Sequence, residues 1–310
     1  MKTRFFTTGL RALAIASVAV MALSGCTNAE SSGSGTPEGS TAFDPSTIVK
    51  DAELAALVPA SIRDKGKLTI GSDTTYAPAE FLGGSDGQTP MGFDVDFAKA
   101  IGGLLDLKID YQSSPFTSII PALGTKFDAG FSAFTVTNER MKSVNMVGYT
   151  QSGTIWAVQK GNPKNFSLDN ICGKKIGVQT GSIQEDPDIK NRNQKCLDEG
   201  KPAIDVISLP KQTDITTRLI AGGIEAMASG ASSVGYAVTQ TQGQIELLGK
   251  LYNADVMGIA VAKDDTELAD LISKSFDKLI ESGDYHKILA TWGMEVLAVD
   301  KSVVNPEVKK

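Results

Sequence analysis

Side chains that could transfer protons, form covalent bonds or hold a lone charge are few in this chain. The only histidine is His286. The apolar spacing around it (Tyr285, Ile288, Leu289, Trp292) puts it in a short amphipathic helix near the C-terminus. There are three cysteines, Cys26, Cys172 and Cys196, and no Cys-x-x-Cys pair, so no metal-ligand pattern is present. Cys172 and Cys196 form an even pair. Joined, they close a loop of about 25 residues and restrain the unfolded chain by roughly 3 kcal/mol; apart, they are two buried thiols. Arg140 follows the spacing Thr135-x-Thr137-x-x-Arg140. A guanidinium can grip a carboxylate through a two-pronged fork that Lys cannot match, although an arginine beside Glu139 and near Asp128 also reads as a surface ion-pair partner. Gly177-Val178-Gln179-Thr180-Gly181-Ser182-Ile183-Gln184 reads as a strand, a glycine turn and a helix start. The N–H groups of Ser182 and Ile183 at such a start suit an anion.

These residues must be positioned by the elements around them. From Gly66 onward, β-type segments alternate with helical periodicity, the mark of an α/β fold. Lys67–Gly71, Leu107–Tyr111 and Asp128–Phe134 read as strands. Phe97, Ile101, Leu104 and Leu105 share one face of a helix, with Asp94 and Asp96 in its first turn, where negative charge suits the dipole. Phe116 to Leu123 reads as a short helix. A second series begins near Ile155. It has strands at Lys175–Val178, Ile204–Leu209 and Ile224–Ala228 and a helix around Asp214–Ala221 ended by Gly222-Gly223. Met257 to Ala262 is again strand-like, and Leu268, Leu271, Ile272, Phe276, Leu279 and Ile280 mark a strongly amphipathic helix.

The N-terminus has the parts of a secretory signal: basic Lys2, Arg4 and Arg11, an apolar run Ala12–Leu23, and small residues ahead of Cys26. The run is short for a bilayer span. Leu23-Ser24-Gly25-Cys26 resembles a bacterial lipobox, which makes Cys26 the expected lipidated residue, and the polar stretch Thr27–Thr41 reads as a tether. Removing residues 1–25 takes away three positive charges and no negative one, moving the net charge from −6 to −9. So acidic a surface argues against nucleic acid and leaves membrane attachment to the lipid. An even cysteine pair beyond Cys26 fits an oxidising, extracytoplasmic compartment.

Four segments in order resemble one family. Gly71-Ser72-Asp73-Thr74-Thr75-Tyr76-Ala77-Pro78, Gly92-Phe93-Asp94-Val95-Asp96-Phe97-Ala98-Lys99-Ala100-Ile101, Phe116-Thr117-Ser118-Ile119-Ile120-Pro121-Ala122-Leu123 and Phe134-Thr135-Val136-Thr137-Asn138-Glu139-Arg140 are similar to the motifs of the polar-amino-acid solute-binding proteins of bacterial ABC importers. The resemblance covers most of residues 66–293. It implies a two-lobe periplasmic-binding-protein (type II) α/β fold with a hinge of two crossing strands near Tyr149–Ile155 and Asn253–Gly258. The expected organisation is a signal peptide over 1–25, a tether over 26–47, one lobe from 48–151 plus 257–310, and a second from 152–256. Loops at Asp73, Ala133 and Gln179 are expected to face one cleft, since open α/β sheets bind at the carboxyl ends of strands.

The same resemblance implies the site. Arg140 clamps a ligand carboxylate, supported by Thr135; Tyr76 and Phe116 wall the ligand's side chain; Asp73 and Gln179 touch it; Ser182 and Ile183 close over it. The expected partners are a small carboxylate-bearing solute and permease subunits, with no cofactor. The family usually ends the strand at Ile224–Ala228 with an Asp that takes the ligand's α-ammonium, and Gly230 stands there instead. Either Asp73, Ser229, Ser232 or Ser233 compensates, or the ligand has no free α-ammonium. Two other readings share the fold: a ligand sensor, and an exported dehydratase-like enzyme. For an enzyme only Asp73, Glu80 and Glu185 could serve as acid or base, and none has an evident partner.

Overall fold

The computed structural model describes residues 43–308; the signal peptide, Cys26 and residues 26–42 of the tether lie outside them. Twelve strands are present among the described residues: β1 (Lys67–Ser72), β2 (Thr75–Tyr76), β3 (Glu80–Gly83), β4 (Thr89–Met91), β5 (Lys108–Ser113), β6 (Ala129–Thr135), β7 (Val144–Gln159), β8 (Lys175–Gln179), β9 (Asp205–Leu209), β10 (Ala226–Gly230), β11 (Ile245–Ala262) and β12 (Val303–Val304). Their main sheet runs β5-β1-β6-β11-β7-β10-β8-β9, with β12 added to β7, and β2-β3-β4 form a separate small sheet.

The order explains the two lobes. β5, β1 and β6 are parallel, as are β9, β8 and β10, and each trio joins the centre through an antiparallel pair, β6 to β11 and β10 to β7. β7 and β11 run antiparallel along each other from Val144↔Ala262 to Gln159↔Ile245. Val147 and Tyr149 of β7 lie in one core with Leu68, Phe97, Ile259 and Phe276, whereas Trp156 and Val158 lie in another with Phe166, Ile176 and Ile189. Each crossing strand thus buries one end in each lobe. Between those ends the β7–β11 register shifts repeatedly, from Leu248 to Gly258.

Most expected elements form, with shifted boundaries. The Phe116 helix covers Phe116–Ile119 and tightens into a 3-10 turn at Ile120–Ala122, where Pro121 removes a donor. The strand expected at Ile224–Ala228 lies at Ala226–Gly230, so Ser229 and Gly230 belong to it. The small sheet β2-β3-β4 and most of the length of β7 went unread, because two- to four-residue strands carry too little alternation to register, and β7, buried on both faces over much of its length, shows none. Asp94 and Asp96 fall in the first turn of the helix Phe93–Leu105, as expected, and Asp94 is fully buried. The helix is capped by Gly92 at φ 128, packed so tightly that a Cβ there would lie 2.1 Å from the Ala79 carbonyl oxygen. Phe93 and Asp94 then donate their N–H groups to Pro78 and Ala79, tying this helix to the loop after β2.

Cys172 and Cys196 are joined in a disulfide, with Cys196 buried among Trp156, Phe166 and Ile171. Replacing both by Ser should lower the unfolding free energy by about 3 kcal/mol, the closure entropy of that loop. Urea denaturation measures it, and an unchanged midpoint would show that the bond contributes nothing.

Candidate functional site

The carboxyl ends of β1, β6, β8 and β10 converge between the lobes. β1 delivers Asp73, β2 carries Tyr76, and Pro115 starts the short helix that presents Phe116. β6 supplies Ser132, Ala133 and Thr135 through an irregularity, since its register with β11 slips between Gly258 and Ala260 and Ala133 sits at φ 46. A non-glycine residue in the left-handed region is uncommon and marks a position that its surroundings hold in place. Thr137 caps the next helix by accepting the Arg140 N–H at 3.1 Å, which fixes where the Arg140 side chain departs.

These residues line a pocket of about 520 Å³ counted out to its open mouth, narrow enough that only about 30 Å³ is free to the centre of a water molecule. Tyr76, Phe116, Ala133, Thr135 and Arg140 form one wall; Gln179, Ser182, Ile183 and Gly230 form the other. Asp73 is not on the surface of the pocket. It is buried one layer back, its Oδ2 accepting from Gln179 Nε2 at 2.7 Å and its Oδ1 from the Thr75 hydroxyl at 2.8 Å. Burial raises its pKa, against the pull of those hydrogen bonds. The sequence reading missed Ser132, Gln184, Ser152, Gly153, Asn253 and Met257 as pocket residues. The last four lie on β7 and β11, within or beside the stretches where the chain was expected to cross, and the crossing itself was the available signal.

Arg140 is the only charged side chain lining the pocket among the described residues. The surface ion pairs open to it do not form: Glu139 pairs with Lys142 and Asp128 with Lys65. Its guanidinium lies 5.5 Å from the Phe116 ring and 5.3 Å from the Phe134 ring, which stack on each other at 4.8 Å. It donates to the Thr135 carbonyl at 2.8 Å and, across the cleft, to the Gly181 carbonyl at 3.3 Å. Desolvation lowers its pKa to about 10, so it stays charged at neutral pH. A half-buried cation held by two neutral carbonyls is a site for an anion, because no counter-charge has been supplied from within.

One expectation on the far wall needs correction. The Ser182 N–H does not point free into the cleft; it donates to the Gln179 carbonyl at 3.2 Å, while the Glu185 carboxylate takes the Gly181 N–H at 2.6 Å. The glycine turn is therefore capped by its own chain. Gly230 has φ −62, a backbone open to any residue. Its reason is space: a Cβ there would stand 2.5 Å from the Tyr76 hydroxyl oxygen. That hydroxyl accepts the Gly230 N–H at 3.0 Å and shares a hydrogen bond with Ser229 Oγ at 3.2 Å. With Asp73–Gln179 and Arg140–Gly181, this makes three polar links from lobe to lobe.

Behind the pocket floor lies a second polar layer. The Asp73 N–H donates to Ser132 Oγ at 3.0 Å, and that hydroxyl donates to Glu80 Oε1 at 3.0 Å. Asp94 accepts from the Ala133 N–H at 2.9 Å and from the Tyr149 hydroxyl. Glu80 and Asp94 are fully buried, and Glu80 Oε2 faces no donor. The two carboxyls are within hydrogen-bonding reach of each other, and the other ionisable groups interacting with them are Asp73 and the phenols of Tyr76, Tyr111 and Tyr149, none of them a cation. Desolvation raises Asp94 to about 6, and desolvation together with the Asp94 charge raises Glu80 well above the usual carboxylate range. Both shifts favour the neutral carboxyl, and a proton on Glu80 Oε2 would give the orphaned oxygen a partner.

Comparison with known proteins places this geometry. The profile of the bacterial extracellular solute-binding proteins, family 3, matches residues 68–295. The arginine-binding protein ArgT of Corynebacterium glutamicum is 30% identical over 275 residues, 88% of each chain. The lysine/arginine/ornithine-binding periplasmic protein of Escherichia coli is 29% identical over 248 residues, covering 76% of this chain and 89% of its own. Among solved structures, an ancestral arginine-binding protein bound to arginine superimposes with a TM-score of 0.66 at 31% identity, over 73% of this chain and 98% of its own.

The acid pair has a measurable consequence. Both carboxyls have folded-state pKa values above those of the unfolded chain, so the stability they contribute is complete at acid pH and lost as pH rises through about 6 and beyond. Glu80→Gln keeps the shape and offers Asp94 a permanent donor. Thermal unfolding from pH 5 to 9 should show a steeper fall for the parent than for the variant; parallel curves would show that Glu80 is not the protonated partner.

Proposed function

This chain belongs to family 3 of the bacterial extracellular solute-binding proteins, and from that premise we propose that its cleft captures a carboxylate-bearing solute on Arg140. The protein is the extracytoplasmic substrate-binding component of an ABC importer, taking up a small polar solute between two lobes and delivering it to a membrane permease. The observation that carries the carboxylate reading is Arg140 itself, the one charge on the pocket wall, desolvated and without a carboxylate partner among the described residues. A ligand carboxylate replaces the Thr135 and Gly181 carbonyls with a charge-assisted pair in fork geometry. Phe116 and Phe134 hold the guanidinium in plane, Tyr76 and Phe116 supply apolar walls, and the hydroxyls of Thr135 and Ser182 finish the polar ring. The named ligands of the relatives, arginine among them, carry the carboxylate this reading requires.

So little free space lies between the lobes that a solute of amino-acid size enters only when they part. The register breaks of β7 and β11 between Leu248 and Gly258 are where such a hinge bends, and the three cross-cleft links re-form around the bound solute. On the outer side, the Leu-Ser-Gly-Cys26 sequence supports attachment of the mature protein to the membrane through lipid on Cys26, with the polar segment after it as tether.

Arg140→Lys keeps the charge and loses the fork, and should weaken binding of a carboxylate ligand by about 2–4 kcal/mol, on the order of 30- to 700-fold in Kd. Calorimetry on folded variant reads this directly; equal affinity would remove Arg140 from the site. Cys26→Ser should move the protein from the membrane to the soluble fraction, because a surface of this charge has no other hold on lipid. Membrane retention unchanged by the substitution would rule out the lipid anchor.

A further inference from the structure

The charge inventory of the pocket narrows the solute further, given that Arg140 holds its carboxylate. Among the described residues no carboxylate lines the pocket, and its polar lining beyond Arg140 is hydroxyls, amides and the Tyr76 phenol. The acids nearby are all withheld. Asp73 has both oxygens taken, by Thr75 and by Gln179, whose amide lies between it and the cleft. Glu80 and Asp94 lie beneath Ser132 and Ala133. Glu185 is turned onto the Gly181 N–H.

The end of β10 is where an acid would have reached the solute, and there the chain has Gly230 with the Tyr76 hydroxyl filling the place of a side chain. The exchange is specific in its physics. A phenol replaces a carboxylate, keeps a hydrogen-bonding group at the strand end and removes the negative charge. A protonated amine brought in beside Arg140 would be stripped of water with no counter-charge and with a like charge close by, which is costly. We propose that this cleft selects a solute with a single negative charge, a carboxylate lacking a free α-ammonium, whose other polar groups are neutral.

Matched pairs with uncharged side chains test it, each an amino acid and the same acid without its α-amine: L-glutamine with glutaramate, L-leucine with 4-methylpentanoate, and L-phenylalanine with 3-phenylpropanoate. Thermal shift followed by calorimetry ranks each pair on the parent protein and on Arg140→Lys. In whichever pair binds, the deaminated member should bind about 10-fold or more tightly, and Arg140→Lys should weaken both members. In the Tyr76→Phe background, which clears the space, Gly230→Asp should then shift the preference about 10-fold or more toward the amino acid.

An amino acid that binds the parent more tightly than its deaminated partner, with Arg140→Lys weakening both, would overturn the selection for a lone negative charge and leave the carboxylate clamp standing. If that preference disappears in Asp73→Asn, the ammonium is received by Asp73 after displacing Gln179, and the inference fails for that stated reason. Binding indifferent to Arg140→Lys, or no binding by any of the six at millimolar concentration, would overturn the clamp and this inference with it.

Discussion

The backbone ladder between β7 and β11 carries both lobes. Each trio of parallel strands hangs from one of these two strands, and each strand buries its ends in different cores, so neither lobe has a complete sheet without the other's chain. The ladder is regular from Val144–Gly148 against Gly258–Ala262 and again from Trp156–Gln159 against Ile245–Leu248. Between those stretches the register slips, Asn253 turns to φ 49, and Gly153 leaves no room for a side chain beside Leu251. A paired strand resists bending through its hydrogen bonds, so bending is cheapest where pairs are missing. The same irregular stretch supplies Ser152, Gly153, Asn253 and Met257 to the pocket. Hinge and binding surface are therefore one piece of chain.

At two depths behind β6, charge is handled in opposite ways. On the pocket side a half-buried guanidinium lies against two aromatic rings and two carbonyls, keeping its charge and lacking a carboxylate partner. One layer behind, two carboxyls are buried, and desolvation pushes both toward their neutral forms. The first arrangement leaves electrostatic work for an incoming anion. The second fastens the floor: Glu80 accepts from the Ser132 hydroxyl and Asp94 from the N–H of Ala133, whose left-handed backbone shapes it. The cross-cleft links are neutral or single-charged hydrogen bonds, strong enough to orient the lobes and weak enough to part.

Much of the framework is legible from periodicity. The alternation of β segments and amphipathic helices locates both series of elements, and the spacing of Leu268, Leu271, Ile272, Phe276, Leu279 and Ile280 matches the buried face of the helix Thr266–Ser282. The short hairpin strands and most of β7 are not legible. Their placement depends on partners far along the chain, Phe81 against Thr75 and Met91, or Thr154 against Tyr252, and nothing local to them has a period to detect.

The sequence by itself determined which groups could meet a solute. Motif order, through the family resemblance, brought out Tyr76, Phe116, Ala133, Thr135, Arg140, Gln179, Ser182, Ile183 and Gly230, and all nine line one pocket. Tertiary structure alone decided what those groups have left to offer. Whether Asp73 faces the cleft depends on Gln179, 106 residues away; whether Ser182 has a free N–H depends on how its turn closes; and the meaning of Gly230 depends on a hydroxyl 154 residues earlier. Hydrogen-bonding capacity is finite and is consumed by whichever partner the fold brings near, so residue type and spacing identify a donor, and only the packed structure shows whether it is spent.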